Sequence, residues 1–402
     1  MSSHPDVRLA AETGPDNSRE APRTRTTRVT DMKILFIAPL PPPITGHSLV
    51  SQVLRNELAR DAQVSVVDLG KDSFTDGADS LGRVAEVLGL LWQVLTRQHG
   101  AKRIYFTISE SLMGNAKDLL IYAICFAGLS RMYIHLHGGS IKRLLWDRHP
   151  LIHRINRFFI RRMGGVIVSG RSHLEIFEDI LPPERVHIVT NFAQDYLFVT
   201  DDEIRAKFAS TTPLRVLYIS NFIPKKGYGD LLEAYLGLDD ATRGAIQIDF
   251  AGKFDSSEQE AAFLQRIRGH DGLRYHGMVD DSRKRALFAR AHVFCLPTAL
   301  FEGQPISILE AYAAGCVVLT TGQSGIRDIF TADVDGYEIL PESPPSIRDA
   351  LGRLLGSRDR LADIGFANSR TARHRYRERS YTSAIRDVMS LGDVSTRQLV
   401  AE

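Results

Sequence analysis

The sequence is poor in the features that mark several classes of protein. Among 402 residues it has three cysteines, Cys125, Cys295 and Cys316, each in an apolar run, which predicts reduced core residues and no cysteine-based metal site. The longest apolar run, residues 119–129, falls short of the roughly 20 residues that a membrane span needs and favours a buried helix. A net charge of +2 gives no indication of a nucleic-acid-binding protein.

A secretory signal is also missing from the N-terminal part of the sequence. Residues 1–31 are rich in Ser, Thr, Pro, Arg and acidic residues without periodicity, which predicts a disordered tail. Met32 opens the run MKILFIAP and looks like the start of the fold. We therefore expect a cytoplasmic protein.

What the sequence does contain is a repeated alternation of short apolar runs and helical patterns. Six strand-like runs, from KILFIAP to VHIVTN, precede residue 192, and six more, from RVLYIS to YEILP, follow residue 213. This alternation is typical of parallel βαβ units. We expect an α/β protein with two Rossmann-like domains, residues 32–198 and 199–374, that face each other across a cleft. A helix in residues 375–402 is expected to cross back to the first domain.

Two carboxylates stand out in the run FEGQPISILEAYAAG, residues 301–315. Glu302 and Glu310 are the only formal charges between Ala291 and Ile326. An ionised carboxylate in apolar surroundings needs a partner. The pattern predicts that Glu302 lies in the loop after a strand and that Glu310 lies inside the following helix. Hydroxyls of a ribose and a sugar would satisfy both groups, and ion pairs to distant arginines are the alternative.

Two further loops have features of phosphate sites. Gly46 ends the Pro-rich loop PLPPPITG before a helix expected to open at His47 or Ser48, and free amides at a helix start attract phosphate. Lys225 and Lys226, in the run SNFIPKKG, follow a strand and precede a helix, where a lysine can neutralise a diphosphate. An ordinary turn and solvated lysines are the alternatives. The G-x-G-x-x-G pattern of nicotinamide-binding proteins is absent from the first loop.

The Glu-x7-Glu run closely resembles the signature of retaining glycosyltransferases of family 4, which have the GT-B fold. The runs SNFIPKKG, HGMVDD and HLHGG and the loop at Gly46 occur in the order typical of that family, so the resemblance covers nearly everything after Met32. It implies that Glu310 binds the ribose of a nucleotide sugar, that Glu302 meets the donor sugar, and that Lys226 stabilises the departing diphosphate.

The resemblance also implies roles for residues around these three. It places backbone groups of Gly46 and Ile306 at the diphosphate, Val279 against the nucleobase and His137 near the transferred sugar. Asn221 occupies a position where the family often has arginine, so the diphosphate would depend more on Lys226 and Lys225. The run SGIRDI, which ends in Asp328, resembles a further loop of the family.

Neither a metal nor a cofactor is expected. The resemblance implies that the acceptor attacks on the face from which the diphosphate leaves, so that the anomeric configuration is retained, and no side chain stands out as a covalent nucleophile. Fixed donors aimed at the departing diphosphate lower the barrier without a metal ion. The DVDG run, residues 333–336, is interpreted as a structural turn.

One segment of the first domain, KRLLWDRHPLIHRINRFFIRRMGG, combines basic and aromatic residues. Such a segment can lie on an anionic membrane surface, and a packed helix with an arginine-rich solvent face is the alternative. Family 4 enzymes often act on lipid-linked acceptors, so the resemblance favours the membrane. The candidate acceptor or membrane residues are Arg143, Trp146, Arg154, Arg157, Phe158 and Arg161.

The leading hypothesis is therefore a retaining glycosyltransferase. It would move a sugar from a nucleotide-diphosphate donor to a free or lipid-linked saccharide in surface polysaccharide or exopolysaccharide synthesis, with peripheral contact to the inner face of the plasma membrane. The alternatives are a nucleotide-sugar 2-epimerase of GT-B architecture and a non-catalytic nucleotide-sugar-binding scaffold.

Overall fold

The computed structural model describes residues 32–70 and 80–391, so the predicted tail, residues 1–31, lies outside the described residues. Within the described ranges, each of the twelve predicted runs contains a strand. β-Branched and aromatic residues dominate these runs, which suits strands buried on both faces.

The first sheet is entirely parallel and has the strand order β2-β1-β3-β4-β5-β6. Its register places Phe36 beside Val66 on one side and Tyr105 on the other. The strands are β1 (Lys33–Ala38), β2 (Gln63–Asp68), β3 (Arg103–Thr107), β4 (Met132–Leu136), β5 (Gly165–Val168) and β6 (Val186–Ile188). The helices between them are α1 (Gly46–Leu58), α2 (Ser80–Arg97), α3 (Leu112–Ile124) and α4 (Pro150–Ile160).

The second sheet is also parallel, with the order β12-β11-β10-β7-β8-β9. Its strands are β7 (Leu214–Ile219), β8 (Ile246–Ala251), β9 (Leu273–Tyr275), β10 (Val293–Leu296), β11 (Val317–Thr321) and β12 (Gly336–Ile339). The remaining helices are α5 (Asp201–Phe208), α6 (Tyr228–Leu236), α7 (Asp240–Gly244), α8 (Ser257–Ile267), α9 (Asp281–Arg290), α10 (Ile306–Ala313), α11 (Pro344–Gly356), α12 (Arg358–Arg375) and α13 (Glu378–Val388). The expected architecture of two Rossmann-like sheets is confirmed.

Each sheet has its own apolar core, and a third cluster lies on the face of the first sheet that α1 and α13 cover. Helix α13 contributes Tyr381 and Ile385 to this third cluster, and the Tyr381 ring lies 5.0 Å from that of Phe192. Ile306, the first residue of α10, also belongs to it. The two halves therefore share apolar packing at the cleft, while the exact domain limits stay a prediction.

The predicted start of α1 is wrong by one or two residues. Helix α1 begins at Gly46 and not at His47 or Ser48, because Thr45 caps it: the Thr45 hydroxyl accepts a hydrogen bond from the Ser48 amide at 3.0 Å. The three cysteines are free and buried, as expected.

Candidate active site

Glu302 lies in the loop between β10 and α10, and its carboxylate is already paired. Its Oε1 atom lies 2.5 Å from Lys226 Nζ and accepts a hydrogen bond from the Thr298 hydroxyl at 2.9 Å. The next residue must be small, because a β-carbon on Gly303 would lie 1.9 Å from the carbonyl oxygen of His137. The loop that carries Glu302 therefore presses against the first domain at the cleft.

Glu310 lies inside α10 and is only 2% exposed. Its Oε1 atom lies 2.5 Å from Lys284 Nζ on α9, and Lys284 also donates to Oε1 of Gln194 at 3.1 Å. Both carboxylates of the Glu-x7-Glu run thus pair with lysines and not with distant arginines. Lys284 was not predicted, since the sequence around it gives no sign that α9 faces Glu310.

Lys226 reaches Glu302 from the turn after β7. Residues Pro224–Lys226 form one short helical turn, and Gly227 ends it with a φ of 82°. A β-carbon there would lie 2.2 Å from the Pro297 carbonyl oxygen. Lys225 is exposed and Asn221 half-buried in the same segment. The two lysines and Asn221 therefore lie together at the carboxyl edge of the second sheet, where open α/β sheets bind ligands.

The starts of two helices meet across the cleft. A β-carbon on Gly46, at the start of α1, would lie 3.6 Å from Cδ1 of Ile306, at the start of α10. The first amides of both helices lack partners within the helix, and each helix start has a partial positive charge. Two helix starts from different domains can therefore contribute to one anion site.

Three histidine rings pack one against the next beside the start of α1, and we call them the histidine stack. The rings of His135 and His137 lie 3.9 Å apart, those of His47 and His137 4.2 Å apart, and the Tyr105 hydroxyl lies 2.7 Å from Nδ1 of His135. Burial lowers the pKa of His47 to about 4 and that of His135 to about 3, and it holds the pKa of His137 well below its usual range. The three imidazoles are thus neutral at physiological pH.

Two other predicted positions lie in the second domain, Val279 in the loop after β9 and Asp328 in the turn after β11. Val279 follows Gly277, whose φ is 63°, and packs against the core of the second domain. Asp328 accepts hydrogen bonds from the Ser172 amide and, at 2.6 Å, from the Ser172 hydroxyl. Asp328 therefore links the two domains, a contact that the sequence did not predict.

The basic segment of the first domain divides between surface and core. Trp146 was predicted to lie at the surface, and this is wrong: it is 1% exposed, because its indole stacks on the His153 ring and packs edge-on against Phe177. Phe158 is 46% exposed and Arg154 is exposed.

Three arginines of the segment have partners. Arg157 lies 3.8 Å from a carboxylate oxygen of Asp179, and Arg161 donates to the carbonyl oxygens of Ile180 and Asp179. Arg143 lies over the ring of Phe301, 4.4 Å from its centroid, and so reaches the loop of Glu302. The segment therefore has a cleft-facing end and an outward-facing helix.

The exposed apolar residues of α4 continue onto neighbouring helices, which the sequence did not predict. The Phe126 ring stacks on that of Phe158, with 6.2 Å between ring centroids. Leu120 and Phe126 are each 50% exposed and α3 ends at Ile124, so the run 119–129 is not a fully buried helix. We call this surface the apolar–basic face. Its apolar members are Phe126, Leu151, Ile155 and Phe158. The adjacent helices α2 and α3 carry further exposed apolar residues, namely Val84, Leu88, Trp92, Leu95, Met113 and Leu120. Its basic members include Arg148, Arg154 and Arg162.

The described residues contain neither a metal-ligand cluster nor a helix that could span a membrane. Across residues 32–70 and 80–391, no group of three or more His, Cys, Asp or Glu side chains is arranged to hold a metal ion. In the DVDG run, Asp333 pairs with Arg353 at 2.9 Å and Asp335 accepts from the Thr331 amide. None of the described helices is long and apolar enough to cross a membrane.

Comparison with known proteins gives a family match and similar folds. Residues 200–370 match the family model "Glycosyl transferases group 1". The chain is 24% identical over 361 residues to a GDP-mannose-dependent alpha-(1-6)-phosphatidylinositol monomannoside mannosyltransferase of Mycobacterium tuberculosis, covering 82% of this chain and 88% of that protein.

Two solved structures have the same architecture. The crystal structure of Anabaena HepE in complex with UDP superposes with a TM-score of 0.69 at 18% identity, over 90% of this chain and all of HepE. WaaG, a glycosyltransferase involved in lipopolysaccharide biosynthesis, gives 0.64 at 16% identity, over 89% and 100% of the two chains. The fold is therefore GT-B, and the family match and the curated relative together support a glycosyltransferase, with residues 200–370 similar to the group 1 glycosyltransferase model.

Proposed function

We propose that this chain is a retaining glycosyltransferase that moves a sugar from a nucleotide-diphosphate donor to a saccharide acceptor. The observation that carries the proposal is the pair of shielded carboxylates, Glu302 and Glu310, each held by a lysine at the carboxyl edge of the second sheet. Glu310 would bind the ribose hydroxyls and Glu302 the donor sugar. Hydroxyl groups can donate hydrogen bonds to both carboxylates without adding a charge to the site.

The diphosphate would lie where Lys226 and the starts of α1 and α10 converge. Breaking the bond between the anomeric carbon and the phosphate oxygen leaves negative charge on the diphosphate, and fixed donors at that position stabilise it. Lys225 would add to this field, and Asn221 would donate a neutral hydrogen bond where related enzymes often have arginine. We propose that these groups act without a metal ion.

The remaining roles follow from position. Val279, in the loop after β9, would contact the nucleobase, and the backbone around Gly46 and Ile306 would meet the phosphates. His137 would lie beside the transferred sugar as a neutral imidazole, which can hydrogen-bond a hydroxyl without repelling the developing positive charge on the sugar. Same-face attack by the acceptor, with its proton passing to the departing phosphate, would retain the anomeric configuration.

A lipid-linked acceptor is supported by the apolar–basic face. Exposed Leu151, Ile155 and Phe158 lie beside arginines, and each cation near an anionic membrane surface contributes about 1 kcal/mol. We propose that this face rests on the membrane and brings the cleft to the acceptor for surface polysaccharide synthesis. The protein should sediment together with phosphatidylglycerol vesicles and should stay in solution with phosphatidylcholine vesicles.

The direct test of function is a thermal-shift screen of UDP-, GDP- and ADP-sugars. A ligand that binds only the folded state raises the melting temperature according to its affinity. The mycobacterial relative depends on GDP-mannose and HepE was crystallised with UDP, so both nucleotides belong in the screen. A nucleotide sugar that stabilises the protein is then incubated without acceptor: an epimerase would isomerise it, a transferase would not. If no nucleotide sugar in the screen stabilises the protein, the proposal is wrong.

A further inference from the structure

Glu110 is an acidic residue in the first domain that none of the roles above uses. It lies three residues after the end of β3, and His137 lies one residue after the neighbouring strand β4. Both residues are therefore at the carboxyl edge of the first sheet, on the side of the cleft opposite Glu302. The Glu110 side chain is only partly buried, so a ligand in the cleft can reach it.

The Glu110 carboxylate has a fixed position. Its Oε1 atom accepts hydrogen bonds from the amides of Ser140 at 2.6 Å and Ile141 at 2.9 Å. A β-carbon on Gly138 would lie 1.8 Å from Oε2, so the carboxylate lies directly against the Gly138 backbone. Two amides and a glycine thus hold the group in one orientation.

Glu110 also lies close to the donor side of the cleft. A β-carbon on Gly303 would lie 1.9 Å from the His137 carbonyl oxygen and 3.6 Å from the Gly138 Cα atom. Glu110 and Glu302 therefore flank the same glycine contact, one from each domain. Burial, together with the charge of Glu302, raises the pKa of Glu110 despite the amide hydrogen bonds.

The surroundings of Glu110 differ from those of Glu302. Glu302 pairs with Lys226, but within residues 32–70 and 80–391 no basic side chain comes within ion-pairing distance of Glu110. Nε2 of the adjacent His137 is shielded from solvent without a hydrogen-bond partner. A partly buried carboxylate that pairs with no described basic side chain, together with an imidazole nitrogen that has no described partner, suits a neutral ligand with hydroxyl groups.

We propose that Glu110 binds the acceptor, accepting a hydrogen bond from the sugar hydroxyl that attacks the anomeric carbon. This proposal rests on the proposed function. The hydroxyl oxygen forms the new bond to the anomeric carbon, the bond from that carbon to the phosphate oxygen breaks with its electron pair going to the diphosphate, and the hydroxyl proton goes to a diphosphate oxygen. Glu110 orients the hydroxyl throughout. A negative group here also selects a saccharide hydroxyl against a phosphorylated acceptor position.

The test uses Glu110→Gln, which keeps an oxygen for the Ser140 and Ile141 amides and turns the other oxygen into a donor. The donor is the nucleotide sugar that stabilises the wild type, and the acceptor probe is a lipid extract of bacterial membranes containing isoprenyl-linked saccharides. We expect transfer to fall about 10- to 100-fold, the range for a lost hydrogen bond to a charged group. Donor affinity and melting temperature should stay at wild-type values.

The outcomes separate this proposal from a structural role and from the proposed function. Glu184→Gln, the same change at an exposed position of the first domain, is the matched control and should transfer normally. Wild-type transfer by Glu110→Gln would overturn the proposal. Equal losses of melting temperature, donor affinity and transfer would also overturn it, in favour of a purely structural cap on residues 140–141. If the wild type binds no nucleotide sugar, the proposed function fails and this role fails with it.

Discussion

The two sides of the cleft differ in the charged groups that they carry. On the side of the second sheet, Glu302 and Glu310 are charged groups paired with Lys226 and Lys284. On the side of the first sheet, the histidine stack is neutral, and no basic side chain within residues 32–70 and 80–391 pairs with Glu110. The difference matches the two proposed substrates, because a diphosphate leaving group needs cations already in position and a sugar hydroxyl needs neutral or acceptor groups.

Trp146 tests whether the basic segment of the first domain stabilises the core or contacts a membrane. The first domain buries part of its most basic segment, so replacing Trp146 with alanine should remove core packing and not a membrane contact. We expect a loss of about 3–5 kcal/mol in the free energy of unfolding, measured in urea, and unchanged sedimentation with vesicles under native conditions. Arg154→Ala, at an exposed position of the same segment, should change stability little. A fully stable Trp146→Ala protein would contradict the assignment of the indole to the core.

Lys226 is the cation of the donor side whose loss we expect to slow catalysis. Replacing Lys226 with alanine should lower kcat about 10²- to 10³-fold, because a fixed donor to the developing charge is lost. Steady-state transfer kinetics measure this. Lys102→Ala, the same change at an exposed site before β3, is the control and should keep full activity. Equal activity in both variants would mean that Lys226 does not act on the diphosphate.

The neutral histidine stack gives the acceptor side a pH dependence. The folded pKa of His47, about 4, lies below its unfolded value of about 6.5, so the unfolded state binds the proton first as the pH falls. The contribution of neutral His47 to the free energy of unfolding is complete above about pH 6.5 and is lost as the pH falls toward about 4. Between pH 7 and pH 5 the wild type should lose about 2 kcal/mol more than His47→Gln, measured by urea unfolding. Equal losses would show that His47 titrates normally in the folded protein.

The smallest expected effect concerns the apolar–basic face. Phe158→Ser should weaken binding to phosphatidylglycerol vesicles about 4- to 12-fold. The variant loses about half of the free energy of burying a large apolar side chain, which is about 0.8–1.5 kcal/mol. Val334→Ser, at a 58% exposed apolar position of the second domain, is the matched control and should bind like the wild type. If both variants bind alike, the membrane contact lies elsewhere.

Sequence patterns predicted those parts of the molecule that local chemistry determines. The twelve strands follow from contiguous apolar runs, and Glu302, Glu310 and Lys226 stand out because each is a charged residue in a short, distinctive run. Lys284 was missed because its contact with Glu310 spans 26 residues and depends on how α9 packs.

Long-range arrangement also decided the remaining differences. Glu110 can be recognised as a site residue only when the pairing of β3 with β4 is known. The exposure of the apolar residues of α2 depends on which helices pack beside it. Trp146 was misplaced because a basic, aromatic segment is compatible with either a packed or an exposed helix.

Binding of a nucleotide sugar by Glu310, the buried carboxylate of α10, is the basis of the proposed function. The most direct measurement is calorimetric titration of UDP-glucose and GDP-mannose into the wild type and into Glu310→Gln, with melting temperatures recorded for both proteins. We expect one of the two sugars to bind the wild type, and a folded Glu310→Gln protein to bind it about 10- to 100-fold more weakly. The same dissociation constant in both proteins would contradict the account.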